Sequence, residues 1–280
     1  MPSFDTPEPI SVTAHVYAGS IQFTAADRID TVVEVRPRDP KKDLDVRAAD
    51  QTEVGYAGGA LTVRTPKANL LGRAGTVDVT VELPTGSDID VSGAAARLLG
   101  EGRLGEVHVK SSAGDVRLDT TGPLQMKAAH GTITVDRVEG LADITSSTGN
   151  VRVGTVDGPA VLKNSHGTTT VGTVTGELRV NGANGSIDIA RAESSVTGTS
   201  TNGVLRIAEV ARGTVQLETS NGSIEIGIRE GTAAWLDVNS NRGQVRNTLT
   251  SSEAPERTED TVKVHARTNW GNIDIRRAKA

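Results

Sequence analysis

A glycine followed by alternating outward and apolar residues returns along this chain at a nearly fixed interval. It opens GTITV at Gly131, GNVRV at Gly149, GTTTV at Gly167, GSIDI at Gly185, GVLRI at Gly203 and GSIEI at Gly222, with spacings of 18, 18, 18, 18 and 19 residues. A second phrase lies between successive copies: GPLQM at Gly122, GLADI at Gly140, GPAVL at Gly158, GELRV at Gly176 and GTVQL at Gly213. Alternation within each phrase means strand, because successive side chains point to opposite faces. A constant advance places each strand above its counterpart one period earlier, which predicts an all-β fold, a parallel β-solenoid with two faces per coil. GEVHV at Gly105 and GDVRL at Gly114 are then two faces of one earlier coil.

Each period offers about five inward slots. They hold Ala142, Ile144, Val151, Val153 and Val156, then Ala160, Leu162, Thr169, Val171 and Val174, then Leu178, Val180, Ile187, Ile189 and Ala192. Thr169 is the polar exception. Asn-Gly before an alternating run also fits a hairpin meander, but a meander needs no five slots in register. The pairs at Asn184, Asn202 and Asn221 are therefore expected to turn corners, supplying residues that tolerate left-handed backbone angles. Roughly ten coils at the usual strand spacing make a rod on the order of 45 to 50 Å, taken as right-handed although 18-residue coils occur in both hands.

Residues 1–85 depart from the period. Longer strands at TVVEVR (Thr31–Arg36), LTVR (Leu61–Arg64) and TVDVTVEL (Thr76–Leu83) flank a polar, proline-containing linker from Pro37 to Asp50. They predict an N-terminal strand-rich cap, with residues 86–280 forming the repeats of one continuous domain. At the other end the interval lengthens to 21 and then 28 residues, around a charged insertion, SSEAPERTED at Ser251–Asp260, expected to project as a loop. Trp235 and Trp270 fall in this irregular zone and are expected to plug the end of the core, Trp270 from a corner position held elsewhere by Asn.

Only 2% of the residues are aromatic, so packing must rest on Val, Ile, Leu and Ala. Cysteine is absent, which removes disulfides, thiolate metal sites and Cys nucleophiles. The formal charge of −5 argues against a general affinity for nucleic acid or anionic membrane surfaces. Neither a signal-peptide pattern nor a spanning apolar stretch is present, which predicts a soluble cytoplasmic protein with no direct membrane insertion.

Between the paired slots, outward positions on one face read Arg152, Thr170, Asp188, Arg206, Glu225 and Arg246, ending at Asp274. Such a strip can dock a charged partner; the plainer explanation is a solvated face whose signs avoid like-charge repulsion between rungs. His130 and His166 share a corner position two coils apart, too far for shared metal ligation. No zinc, calcium-repeat, phosphate-loop or serine-hydrolase motif occurs, so no catalytic residue, metal or cofactor is expected. Hexapeptide-repeat acyltransferases also advance 18 residues per coil, but with an aliphatic every six positions, whereas the slots here are spaced 2, 7, 2 and 3 apart. Polysaccharide-cleaving β-helices need clustered carboxylates in a groove rimmed by aromatics.

The chain resembles the bacterial "toastrack" or "putative adhesin" family of β-strand repeat proteins. The resemblance is carried by FDTPEPISV (Phe4–Val12), DTVVEVRP (Asp30–Pro37), VDVTVELPTGS (Val77–Ser87) and repeats of the STGNVRVGTVDG and NGSIEIG type. It implies the β-repeat fold over essentially the full length, an adhesion-like or envelope-stress context, and no transferable catalytic residues. The leading expectation is a non-enzymatic scaffold that binds a protein partner or itself. Its candidate contacts are Trp235, Trp270 and the strip residues Arg152, Asp188, Arg206, Glu225 and Arg246. A carbohydrate-binding or carbohydrate-cleaving β-helix is the alternative.

Overall fold

The computed structural model describes residues 1–67, 74–249 and 260–278, in two units, Met1–Glu139 and Gly140–Ala280. In the second unit, strands Ala142–Thr148, Ala160–His166, Leu178–Asn184, Val196–Asn202 and Gly213–Asn221 pair in parallel on one face. Val151–Val156, Thr169–Val174, Ile187–Ala192, Leu205–Val210 and Ile224–Ile228 do the same on the other. Ala142 sits opposite Ala160 and Ala160 opposite Leu178, so the register equals the repeat period and the fold is the expected parallel β-solenoid. All fifteen slot residues named above are buried, Thr169 included.

The corners differ from expectation in one respect. Positive φ belongs to glycine alone among the described residues, with Gly185 at +139°, Gly203 at +153° and Gly222 at +157°. The asparagines before them take ordinary backbone angles and instead form a ladder. Asn202 Nδ2 donates to Asn184 Oδ1 at 2.8 Å, and Asn221 Nδ2 donates to Asn202 Oδ1 at 2.9 Å.

The coils also have a sixth inward slot, filled in most of them by small polar residues: Ser146, Asn164, Ser200, Thr219 and Thr268 are all buried, while Gly182 holds the place opposite Asn164. Several of these side chains bond the corner glycine carbonyl of the preceding rung. Asn164 Nδ2 donates to Gly149 O at 3.0 Å, Thr268 Oγ1 to Gly222 O at 2.9 Å, and Ser240 Oγ to Gly271 O at 2.8 Å. The slot lies where the chain bends, and these three side chains satisfy carbonyls that would otherwise be buried without partners, whereas the Ser146 and Ser200 hydroxyls are buried without a hydrogen-bond partner among the described residues.

At the end of this unit the coils are not stacked in chain order. Thr261–Trp270 pairs with Gly213–Asn221 on one side and Ala233–Arg242 on the other. Ile273–Arg277 likewise lies between Ile224–Ile228 and Val245–Asn247. The last strands of the chain are thus wedged one rung inside, and the coil 233–247 is outermost. The expected insertion at Ser251–Asp260 lies, except for Asp260, outside the described residues.

The first unit uses the same device. Ser11–Ala26 carries Val12, Ala14 and Val16 inward, turns at Gly19, and carries Ile21, Phe23 and Ala25 inward on the second face. It pairs in parallel with Asp88–Arg103 on one side and with Ala60–Arg64 and Val77–Pro84 on the other. Beyond these, Glu53–Ala57 and Asp30–Pro37 add antiparallel strands, and Ser3–Asp5 follows antiparallel on Asp30–Pro37. The rings of Phe4 and Tyr56, from the outermost strand of each face, meet with centroids 5.2 Å apart. Inside the stretch read as a polar linker, Asp43–Asp50 is helical. Eight residues make a marginal helix alone. Here the acidic first turn favours the N-terminus, Ala48 is buried, and the Asp45 carboxylate accepts from Thr76 N at 2.8 Å and Asp39 N at 3.2 Å.

Candidate functional site

The outward strip forms as far as Glu225: Arg152 lies opposite Thr170, Thr170 opposite Asp188, Asp188 opposite Arg206, and Arg206 opposite Glu225. Beyond that the wedged coil changes the order. Asp274 sits next to Glu225 and Arg246 comes last, so two carboxylates occupy adjacent rungs and the alternation of sign breaks there. Arg206 brackets the pair from one side through Nε and Nη2, each 3.0 Å from a Glu225 oxygen. Arg246 approaches Asp274 to 3.8 Å from the other. Exposed pairs of this kind are worth about 0.2–1 kcal/mol each, and the strip is a largely self-neutralised face.

A tighter network lies past the second face. Arg229 donates to Glu193 and Glu209, both at 2.6 Å, and Arg191 reaches Glu209 at 3.0 Å. The Arg229 hydrogen bond is the main cause that holds the Glu209 carboxyl below its usual value near 4.5, against the opposing effect of burial. A depressed carboxyl contributes stability that is complete above its unfolded pKa and is lost as pH falls through the folded one. Glu209→Gln should therefore weaken the protein at neutral pH but lose less stability than wild type between about pH 5 and pH 3. Urea melts at several pH values would show this, and parallel losses in the two proteins would contradict it.

The tryptophans do not plug the core. Trp235 is 61% exposed and Trp270 54% exposed. In Ala233–Arg242 the inward positions belong to Leu236 and Val238, both half-buried, so the alternation turns Trp235 outward, opposite Lys263. Trp270 does hold the corner column, next to Asn221, and ends the asparagine ladder. Arg242 on the outermost rung stacks over its ring at 4.3 Å from the centroid, a contact worth on the order of 0.5–1 kcal/mol when exposed.

These features converge on the outermost coil. Among the described residues, Ala233–Arg242 has one hydrogen-bonded neighbour, Thr261–Trp270, and Val245–Asn247 has one, Ile273–Arg277. Val245 is 45% exposed. The sequence placed Trp235 and Arg246 near the end but not on this open rung, with Trp270 one rung inside it, and it did not single out Leu236, Val238 or Arg242. No helix among the described residues is long and apolar enough to cross a membrane.

The family model described as Toastrack DUF4097 matches residues 20–276. No curated protein matches the chain. Among solved structures, a Bacteroides fragilis protein described as a "putative adhesin" aligns at 16% identity over 98% of this chain and 95% of that one, with a TM-score of 0.37. A "putative adhesin" from Parabacteroides merdae aligns at 13% identity over 80% and 94%, with a TM-score of 0.48. A "putative lipid binding protein" from Parabacteroides distasonis aligns at 13% identity over 99% and 96%, with a TM-score of 0.33.

Proposed function

The chain belongs to the toastrack DUF4097 family, and we propose that it works as a non-enzymatic interaction scaffold whose outermost coil takes up a strand from a protein partner or from a second copy. The observation that carries this is the one-sided strand Ala233–Arg242. An edge strand presents a row of unpaired backbone donors and acceptors. A peptide that adds to it gains main-chain hydrogen bonds, while side-chain contacts select the partner. Half-buried Leu236 and Val238 would become fully covered, and Trp235 and Arg242-stacked Trp270 lie beside the edge as large, rigid anchors of the kind that dominate interface energetics.

Light scattering across a wide concentration range, with native lysate passed over immobilised protein, tests this with two variants. Val238→Lys sets a charge on the inward side of the last rung, and Trp235→Ala removes the exposed ring. A partner complex or self-association should be lost in the first and weakened about thirtyfold in the second. A strictly monomeric protein that retains nothing, or a complex indifferent to both changes, would overturn the proposal.

A further inference from the structure

On the first face of the first unit, one outward column is predominantly cationic and sets two lysines on adjacent rungs, with the carboxylate of Glu53 opposite Arg64 at its far end. Arg64 lies opposite His15, His15 opposite Ser92, Ser92 opposite Lys110 and Lys110 opposite Lys127. The column spans five rungs, roughly 19 Å at the usual strand spacing. Arg64, His15, Lys110 and Lys127 are all exposed, and no ion pair forms on Arg64, Lys110 or Lys127 among the described residues. Like charges on directly opposed rungs are destabilising. Cations elsewhere on the protein avoid that arrangement: Arg206 lies between Asp188 and Glu225, and Arg229 bonds two glutamates. Lys110 and Lys127 break that rule, and a local rule broken without an ion pair to offset it points to a ligand that does so.

We propose that this column binds an extended acidic polysaccharide, with uronate carboxylates on Lys110 and Lys127. The adjoining column supplies what sugar hydroxyls need. Asp90, His108 and Gln125 lie opposite one another in turn, and together with Lys110 and Lys127 they line a shallow groove. The groove therefore offers polar side chains along one side and cations along the other. Tyr17, two residues after His15 and also exposed, presents a ring beside the column for a sugar face. A nucleic-acid strand fits less well. Its bases stack on successive aromatics, of which this column has one neighbour. An anionic membrane calls for clusters of 4–8 basic residues, more than the three permanent cations present.

The test is calorimetric titration of the full chain with polygalacturonate, with dextran, single-stranded RNA and anionic phospholipid vesicles as comparisons. Wild type should bind polygalacturonate in a salt-sensitive manner and leave dextran unbound. The double variant Lys110→Ala, Lys127→Ala should bind about tenfold or more weakly, and Lys163→Ala, a lone lysine in the second unit, should match wild type. The double variant should also melt at a higher temperature, because removing the opposed charges relieves repulsion in the free protein. Absence of polygalacturonate binding, equal binding by the double variant, or tighter binding of RNA or vesicles would overturn the proposal.

Discussion

Gly185→Ala is expected to destabilise the second unit by about 3–5 kcal/mol. Two effects add. At φ +139° the backbone is in a region that side chains with a Cβ avoid. The added Cβ would also sit 2.2 Å from the carbonyl oxygen of Gly167 on the neighbouring rung. That oxygen is backbone and cannot swing aside; relief requires the rungs to separate, which breaks the ladder where Gly167 N donates to Asn184 O. Gly231→Ala separates the effects within the same unit, since Gly231 has φ +79° but open space where its Cβ would go. It should cost only about 1 kcal/mol. Urea titrations followed by circular dichroism give both values, and equal losses would mean that the tight stacking of corner glycines does not govern this fold.

The regular coils were legible because the solenoid repeats one local problem: two short alternating strands and a corner with no room for a Cβ. Five slots and a fixed register follow from that period, and the outward strip follows from the slots. The sixth slot was hidden because Ser146, Asn164, Ser200 and Thr219 sit just before corners, where small polar residues usually mean solvent-exposed turns. Their inward direction follows only if the alternation of Ala142 and Ile144 is carried two residues further. At the N-terminal end, GSIQF at Gly19 has the same frame as GSIEI at Gly222 and marks Ser11–Ala26 as a coil. Its position between Ala60–Arg64 and Asp88–Arg103 is a non-local pairing that no spacing encodes.

Coil order at the C-terminal end was obscured by charge. Stacking in chain order would give Arg206, Glu225, Arg246 and Asp274, a clean alternation, whereas the observed order sets Glu225 against Asp274. Interior packing decides otherwise. The wedged coil supplies Val262, Val264, Ala266, Ile273 and Ile275, all buried. The coil 233–247 supplies Leu236, Val238 and Val245, and places Asn247 opposite Ile275, in a slot held by Ile226 one coil further in. An amide is tolerable in that slot only at an open end, since full burial of an unpartnered polar group costs about 1–3 kcal/mol. Surface pairs worth less than that yield to the core.

That wedged order makes two deletions of similar scope behave in opposite ways. Truncation after Thr248 removes Thr261–Trp270 and Ile273–Arg277, the partners on which both strands of the coil 233–247 depend. It also uncovers Val215, Leu217, Ile224 and Ile226. The four branched side chains lost from the core, Val262, Val264, Ile273 and Ile275, are worth on the order of 6–12 kcal/mol, comparable to the whole stability of an ordinary domain. The truncated protein should lose cooperative unfolding of the second unit and expose enough apolar surface to bind a hydrophobic dye. Deleting residues 233–259 and joining Thr232 to Asp260 removes the outermost coil together with the residues up to 259. Ala233 N donates to Asp260 O at 2.9 Å, so the new junction spans about one rung, and the chain then passes directly to the coil that already stacks on Gly213–Asn221. In a stack where each coil contacts only its neighbours, loss of the last one removes a single interface. The internal deletion should therefore keep a cooperative melt at modestly lower temperature, and with Trp235, Leu236 and Val238 gone it should lose partner binding. If the truncation were the milder of the two, the chain would be stacked in sequence order, and the open rung that carries the proposed function would belong to a different strand.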